Sequence, residues 1–142
     1  MKSNSNLIEQ NVQKQDTNGN KKNSVSETSK NVVERHLKAF ADNDLEVLMS
    51  DYTTESILIT QEATYTSLQG IKAFFAGLNV HFPKQKSTFV LDNFVAKDDL
   101  VFIVWHARTP SLNVPLGSDT FIIKGGKISQ QTFAGQLIFI NE

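Results

Sequence analysis

Two side chains stand where acid–base chemistry would use them. Asp119 interrupts the run Leu116-Gly117-Ser118-Asp119-Thr120-Phe121-Ile122-Ile123, whose β-branched and aromatic residues read as a strand. An aspartate is disfavoured there and costly to bury, so it needs a partner or a purpose. An apolar pocket would raise its pKa and make it a general acid or an oxyanion donor; otherwise it is a structural carboxylate bonded to His36 or to a backbone amide. His36 falls with Val33, Leu37 and Phe40 on one face of a helix, at the i, i+3, i+4, i+7 spacing. A histidine on such a face is either a satisfied core residue or an acid, a base or a donor to a ligand carbonyl. Glu62 is a further carboxylate, inward-facing as a base if a bulge redirects its strand and a solvated loop residue if not.

The other candidate chemistries fall away. The chain has no cysteine, which excludes disulfides, thiolate metal sites and cysteine nucleophiles. His81 and His106 stand at no metal-ligand spacing with each other or with His36, so no metal and no cofactor are expected. Gly125-Gly126 sits between Lys124 and Lys127 with strand-like sequence on both sides, which marks a two-residue hairpin turn and not a phosphate cradle. Residues 31–142 carry nine Lys or Arg against twelve Asp or Glu, a balance with no footprint for nucleic acid. No apolar run reaches the ~18 residues of a membrane helix, and Leu7-Ile8 is too short for a signal peptide, so no membrane contact and a cytoplasmic location are expected.

These residues need elements to hold them. Residues 1–25 are rich in Asn, Gln, Ser and Lys and form a flexible polar tail, or alternatively a docked arm anchored by Leu7, Ile8 and Val12; residues 26–142 form one domain. Ser26 or Ser29 would cap the helix carrying His36, and Asp42-Asn43-Asp44 would end it and cap a short second helix with Leu45, Leu48, Met49 and Tyr52. Glu55–Thr60 reads as a strand, Ala63–Leu68 as weaker extended chain, and Gly70 as the break before a third helix with Ile71, Phe74, Phe75 and Leu78. Strands over 87–96, 100–109, 116–124 and 127–140 follow, with Pro110 and Pro115 in a loop. Helices first and a long antiparallel meander last make an α+β fold, the helices lying on one face of a bent sheet. Val101-Phe102-Ile103-Val104-Trp105 and Phe121-Ile122-Ile123 are apolar on both faces. The outer face would therefore meet a second copy in a homodimer, or be covered by the tail.

In this order the chain resembles the nuclear transport factor 2 superfamily, and within it the SnoaL-like and ketosteroid-isomerase-like branch. The resemblance rests on the helix ending at Asn43-Asp44 before Leu48, on Tyr52 with Ile57-Leu58-Ile59, on Gly70-Ile71-Lys72-Ala73-Phe74-Phe75, and on Asp119-Thr120-Phe121 before Gly126-Lys127-Ile128. It covers about residues 30–140. It implies a cone-shaped, cystatin-like fold in which a curved, mostly antiparallel sheet wraps the N-terminal helices around a pocket for a small apolar molecule. In the ketosteroid-isomerase branch that pocket holds a carboxylate base, a tyrosine and a protonated aspartate that donates a hydrogen bond. Asp119 falls at the donor's position, His36 at the tyrosine's and Thr60 at the base's, where it cannot take a proton from carbon. Asp119 and His36 then form the expected catalytic pair, with Thr60, Tyr65, Phe74, Trp105 and Phe121 around the ligand. The implied activity is an acid–base isomerase, cyclase or hydratase; the alternative is a non-catalytic ligand-binding or dimerisation module.

Overall fold

The computed structural model describes residues 20–140, so the expected arm with Leu7, Ile8 and Val12 lies outside the described residues. Helix α1 spans Asn20–Ala41, α2 Leu45–Met49 and α3 Leu68–Asn79. The strands are β1 (Tyr52–Thr60), β2 (Thr64–Tyr65), β3 (Thr88–Lys97), β4 (Leu100–Arg108), β5 (Leu112–Lys124) and β6 (Lys127–Phe139). They form one unclosed six-stranded sheet in the order β2-β1-β6-β5-β4-β3, antiparallel throughout except that β1 and β6 run parallel. The helices pack against one face, and the core between the layers is built from Val33, Leu48, Ile71, Phe94, Phe121 and Ile128 among others.

Local chemistry explains most boundaries. Asn43 takes a left-handed φ of 54° just past α1, and Asp44 N bonds back to Ala39 O while Asn43 N bonds to Phe40 O. That is the Schellman arrangement, which suits a short polar side chain that tolerates positive φ. Asp44 then caps α2 through Val47 N, as its position suggested. Ser67 caps α3 through Gly70 N, so Gly70 lies within the first turn and does not precede the helix. Gly125 and Gly126 both have positive φ in the β5–β6 turn, the requirement that a Gly-Gly pair meets without strain.

Three expectations about boundaries need correction. Tyr52, expected on the second helix, opens β1, because α2 ends at Met49. Ser26 and Ser29 are not caps but buried positions inside α1, which begins at Asn20. Asp98 N donates to Ser26 Oγ and Ser29 Oγ donates to Asp98 O, so the two hydroxyls clamp α1 onto the β3–β4 turn. A hydroxyl that can satisfy a distant backbone looks the same in sequence as one that caps its own helix. Pro115 does not lie in a loop. It sits inside β5, where register shifts between Asn113 and Leu116 against β6, and at such an irregularity its missing N–H need not cost a ladder bond.

Candidate functional site

Sheet register builds the site around Asp119. Ile103 of β4 and Phe133 of β6 flank it directly. Trp105 and Gln131 are each two residues further along those strands, on the same face, and diagonal neighbours of this kind are within reach of long side chains. Trp105 Nε1–H donates to Asp119 Oδ1 (2.8 Å) and Gln131 Nε2–H donates to Asp119 Oδ2 (2.9 Å). Tyr52 O–H donates in turn to Gln131 Oε1. Since Gln131 Oε1 accepts from Tyr52, its amide N–H faces Asp119, and both carboxylate oxygens are acceptors.

Gly117 makes this geometry possible. It pairs with Trp105 across β4 and β5, and a Cβ there would stand 2.6 Å from the indole ring. The indole therefore lies flat over the glycine, with its N–H directed to Asp119. All four members of the network are buried, Asp119 being only 8% exposed. Burial without a cation raises the Asp119 pKa to about 6, and the bonds from Trp105 and Gln131 restrain the rise by favouring the anion. Tyr52 is pushed well above the usual phenol range, first by burial and then by the charges of Asp119 and Asp51.

His36 reaches the same cavity from α1. Its ring meets the edges of Phe75 and Phe121 at 5.5 Å and Tyr52 at 5.9 Å. Its Nδ1 is buried with no hydrogen-bond partner, and burial drives its pKa down to about 3, so the imidazole is neutral at pH 7. No hydrogen bond joins His36 to Asp119 among the described residues. The two groups instead face a cavity of about 40 Å³, closed by Phe74, Phe75 and Leu78 of α3, Phe40 of α1, Phe89 of β3 and Phe133 of β6. That volume holds about three waters, so even a single ring enters only when lining side chains move.

The remaining expected residues divide. Phe74, Trp105 and Phe121 line the cavity, whereas Thr60 and Tyr65 do not. Tyr65 packs behind Phe74 at 5.5 Å. Thr60 Oγ1 accepts from the backbone N–H groups of Glu62 and Ala63, closing the β1–β2 turn, and Glu62 is exposed in that turn. Gln131, Tyr52, Gly117 and Phe133 were not foreseen as site residues. The alternation of β6 could have placed Gln131 and Phe133 on one face, but nothing local says which strand they pair with. Among the described residues no three His, Asp or Glu side chains converge to hold a metal, and no helix is long and apolar enough to cross a membrane.

Residues 33–131 match the profile of the SnoaL-like domain. No curated protein sequence matches the chain at a significant level. Among solved structures, an NTF2-like protein of unknown function from Mesorhizobium loti superposes with a TM-score of 0.67 at 14% identity, covering 89% of this chain and 98% of that one. A proposed ketosteroid isomerase from Kribbella flavida has a TM-score of 0.64 at 9% identity, covering 82% and 83%. A proposed SnoaL-like polyketide cyclase from Shewanella denitrificans has a TM-score of 0.64 at 15% identity, covering 76% and 90%. The α+β cone is thus an NTF2-like fold.

Proposed function

The chain belongs to the SnoaL-like domain family, and from that premise we propose that it binds a small, largely apolar carbonyl compound and moves a proton on it. Asp119 is the base and His36 the hydrogen-bonding partner of the carbonyl oxygen. One observation carries this reading: a buried carboxylate, held by two N–H donors with no cation, faces the same aromatic cavity as a neutral imidazole whose Nδ1 is unpartnered. A carboxylate with a pKa near 6 is anionic at pH 7 yet basic enough to take a proton from carbon next to a carbonyl. The electron pair of that C–H bond moves to the carbonyl oxygen, and the enolate accepts a hydrogen bond from the imidazole, which donates without being charged. Returning the proton from Asp119 to another carbon completes an isomerisation; in a cyclisation the enolate carbon instead bonds to a second carbonyl carbon, whose oxygen takes the π electron pair and then the proton from Asp119. This assigns Asp119 the acceptor's role, not the donor's role implied by the resemblance, and leaves Thr60 no part in the chemistry. The proposed isomerase and cyclase among the similar structures point to the same class of reaction.

Exchange of the acidic protons of cyclohex-2-enone with deuterium, followed by NMR, tests the assignment. Exchange accelerated over buffer should fall by about 10²- to 10⁴-fold in Asp119→Asn. Equal rates in both proteins would sink it. The small cavity and the hydrogen bond that each Asp119 oxygen already accepts favour a second reading, a ligand-binding module without turnover; it expects binding of the enone with no exchange.

We also propose a homodimer through the outer sheet face, supported by Val95, Leu100 and Phe102, which stand exposed on neighbouring strands β3 and β4 with Ile122 of β5 beside Leu100. Ile122→Glu should elute as a monomer, and an unchanged elution volume would count against this interface.

A further inference from the structure

The cavity beside Asp119 adjoins a larger cleft of about 270 Å³ between the end of α1 and the segment leading into β3. Phe40 and Phe89 line both spaces, so the two meet at these rings. Phe89 stacks on Trp105 at 4.9 Å, and Phe40 meets the edge of Phe82 at 5.1 Å. Both rings are half-buried, and a half-buried phenylalanine can change rotamer at modest cost.

The cleft changes character along its length, from buried Phe82 to exposed Lys84 and Gln85. Ser87 Oγ and Thr88 Oγ1 are already spent as donors to Pro83 O and Arg108 O. Lys84 forms no ion pair among the described residues. Asp42, the acid that feels its charge, is hydrogen-bonded to Lys38 instead. The inner end thus offers a carboxylate and aromatic rings, the outer end an uncommitted ammonium group.

Resting on the interior-site reading above, we propose that cavity and cleft form one elongated site for an amphipathic organic acid. The ligand's apolar ring lies beside Asp119 and His36, its chain passes Phe40 and Phe89, and its anionic group is bound by Lys84. Orientation follows from charge, because an anion at the inner end would face the Asp119 carboxylate with no cation to screen it.

A matched pair of probes tests this, 4-phenylbutyrate and 4-phenylbutanol, which share the ring and chain and differ in charge. Trp105 is the single tryptophan of the chain and lines the inner cavity, so its indole N–H resonance reports occupancy there. Titrations of the full chain should show the carboxylate binding about two- to fivefold more tightly than the alcohol, the range expected for one exposed charge pair. Lys84→Gln should remove that preference and leave the alcohol unaffected, while Lys86→Gln, outside the cleft lining, should change neither. If both probes shift Trp105 but bind equally, or if the preference survives Lys84→Gln, the anion site is wrong and the interior site stands. If neither probe shifts Trp105, even in Phe89→Ala where the dividing wall is cut back, the interior reading fails and this inference with it.

Discussion

Asp51 and Asp119 are both buried aspartates beside the same sheet, yet their surroundings differ in kind. Asp51, just before β1, receives Nε (2.9 Å) and Nη2 of Arg35 on one oxygen and has its other oxygen buried without a partner. Its backbone carbonyl accepts from Ile128 N, and nearby Lys127 bonds Ser50 O, so the cluster ties α1 to the start of β1 and the start of β6. Burial pushes its carboxyl up while Arg35 draws it back. Asp119 has no cation, two neutral N–H donors and a cavity in front of it. A charge paired with a charge fastens elements together; a charge held by neutral dipoles against an empty aromatic space keeps its basicity for a ligand.

Three measurements would break or sharpen this contrast. The largest effect belongs to Asp51→Asn, which removes a buried partner of a half-exposed Arg35 and should cost about 2–3 kcal/mol, lowering Tm by roughly 5–10 °C, with enone exchange unchanged. A loss of exchange at intact stability would erase the distinction.

The second concerns pH. Unfolded His36 takes up its proton near 6.5 and folded His36 only near 3, so between those values the unfolded state binds more protons and stability falls as pH is lowered. Asp119 works in the opposite sense: its folded pKa of about 6 exceeds the unfolded 3.8, so its contribution grows as pH falls through 6 and is complete below 3.8. At pH 5 the two terms are about 2 and about 1 kcal/mol and largely offset. His36→Leu should therefore grow more stable from pH 7 to 5 and Asp119→Asn less stable, as read from urea midpoints. Parallel slopes in the two variants would contradict the assigned environments.

The smallest effect is that of Trp105→Phe, which keeps the ring and deletes the N–H. The acid limb of the exchange profile, set by Asp119 near 6, should move up by about one unit, because the lost bond favours the anion. An unmoved limb would show that the indole does not tune the carboxylate.

How much of this was legible before folding depends on the range of each interaction. The helix face holding His36, the Asn43 terminus, the Gly-Gly turn and the misfit of Asp119 in its strand all follow from neighbours a few residues apart, through periodicity and backbone preference. The α+β order follows from the same local signals. The partners of Asp119 do not: Trp105 and Gln131 reach it only because β4 and β6 pair in the register Ile103↔Asp119↔Phe133, and a one-residue slip would turn both away. Nor could local pattern tell that Ser26 and Ser29 clamp a distant turn, or that Thr60 closes its own turn and leaves the cavity to others. The volume in front of Asp119 was equally hidden, since it is what six phenylalanines and two leucines from five elements leave unfilled. Sequence alone therefore determined which apolar faces turn inward and which residue is out of place in its strand. Tertiary structure decided what that residue touches, because register and packing join positions that no local preference connects.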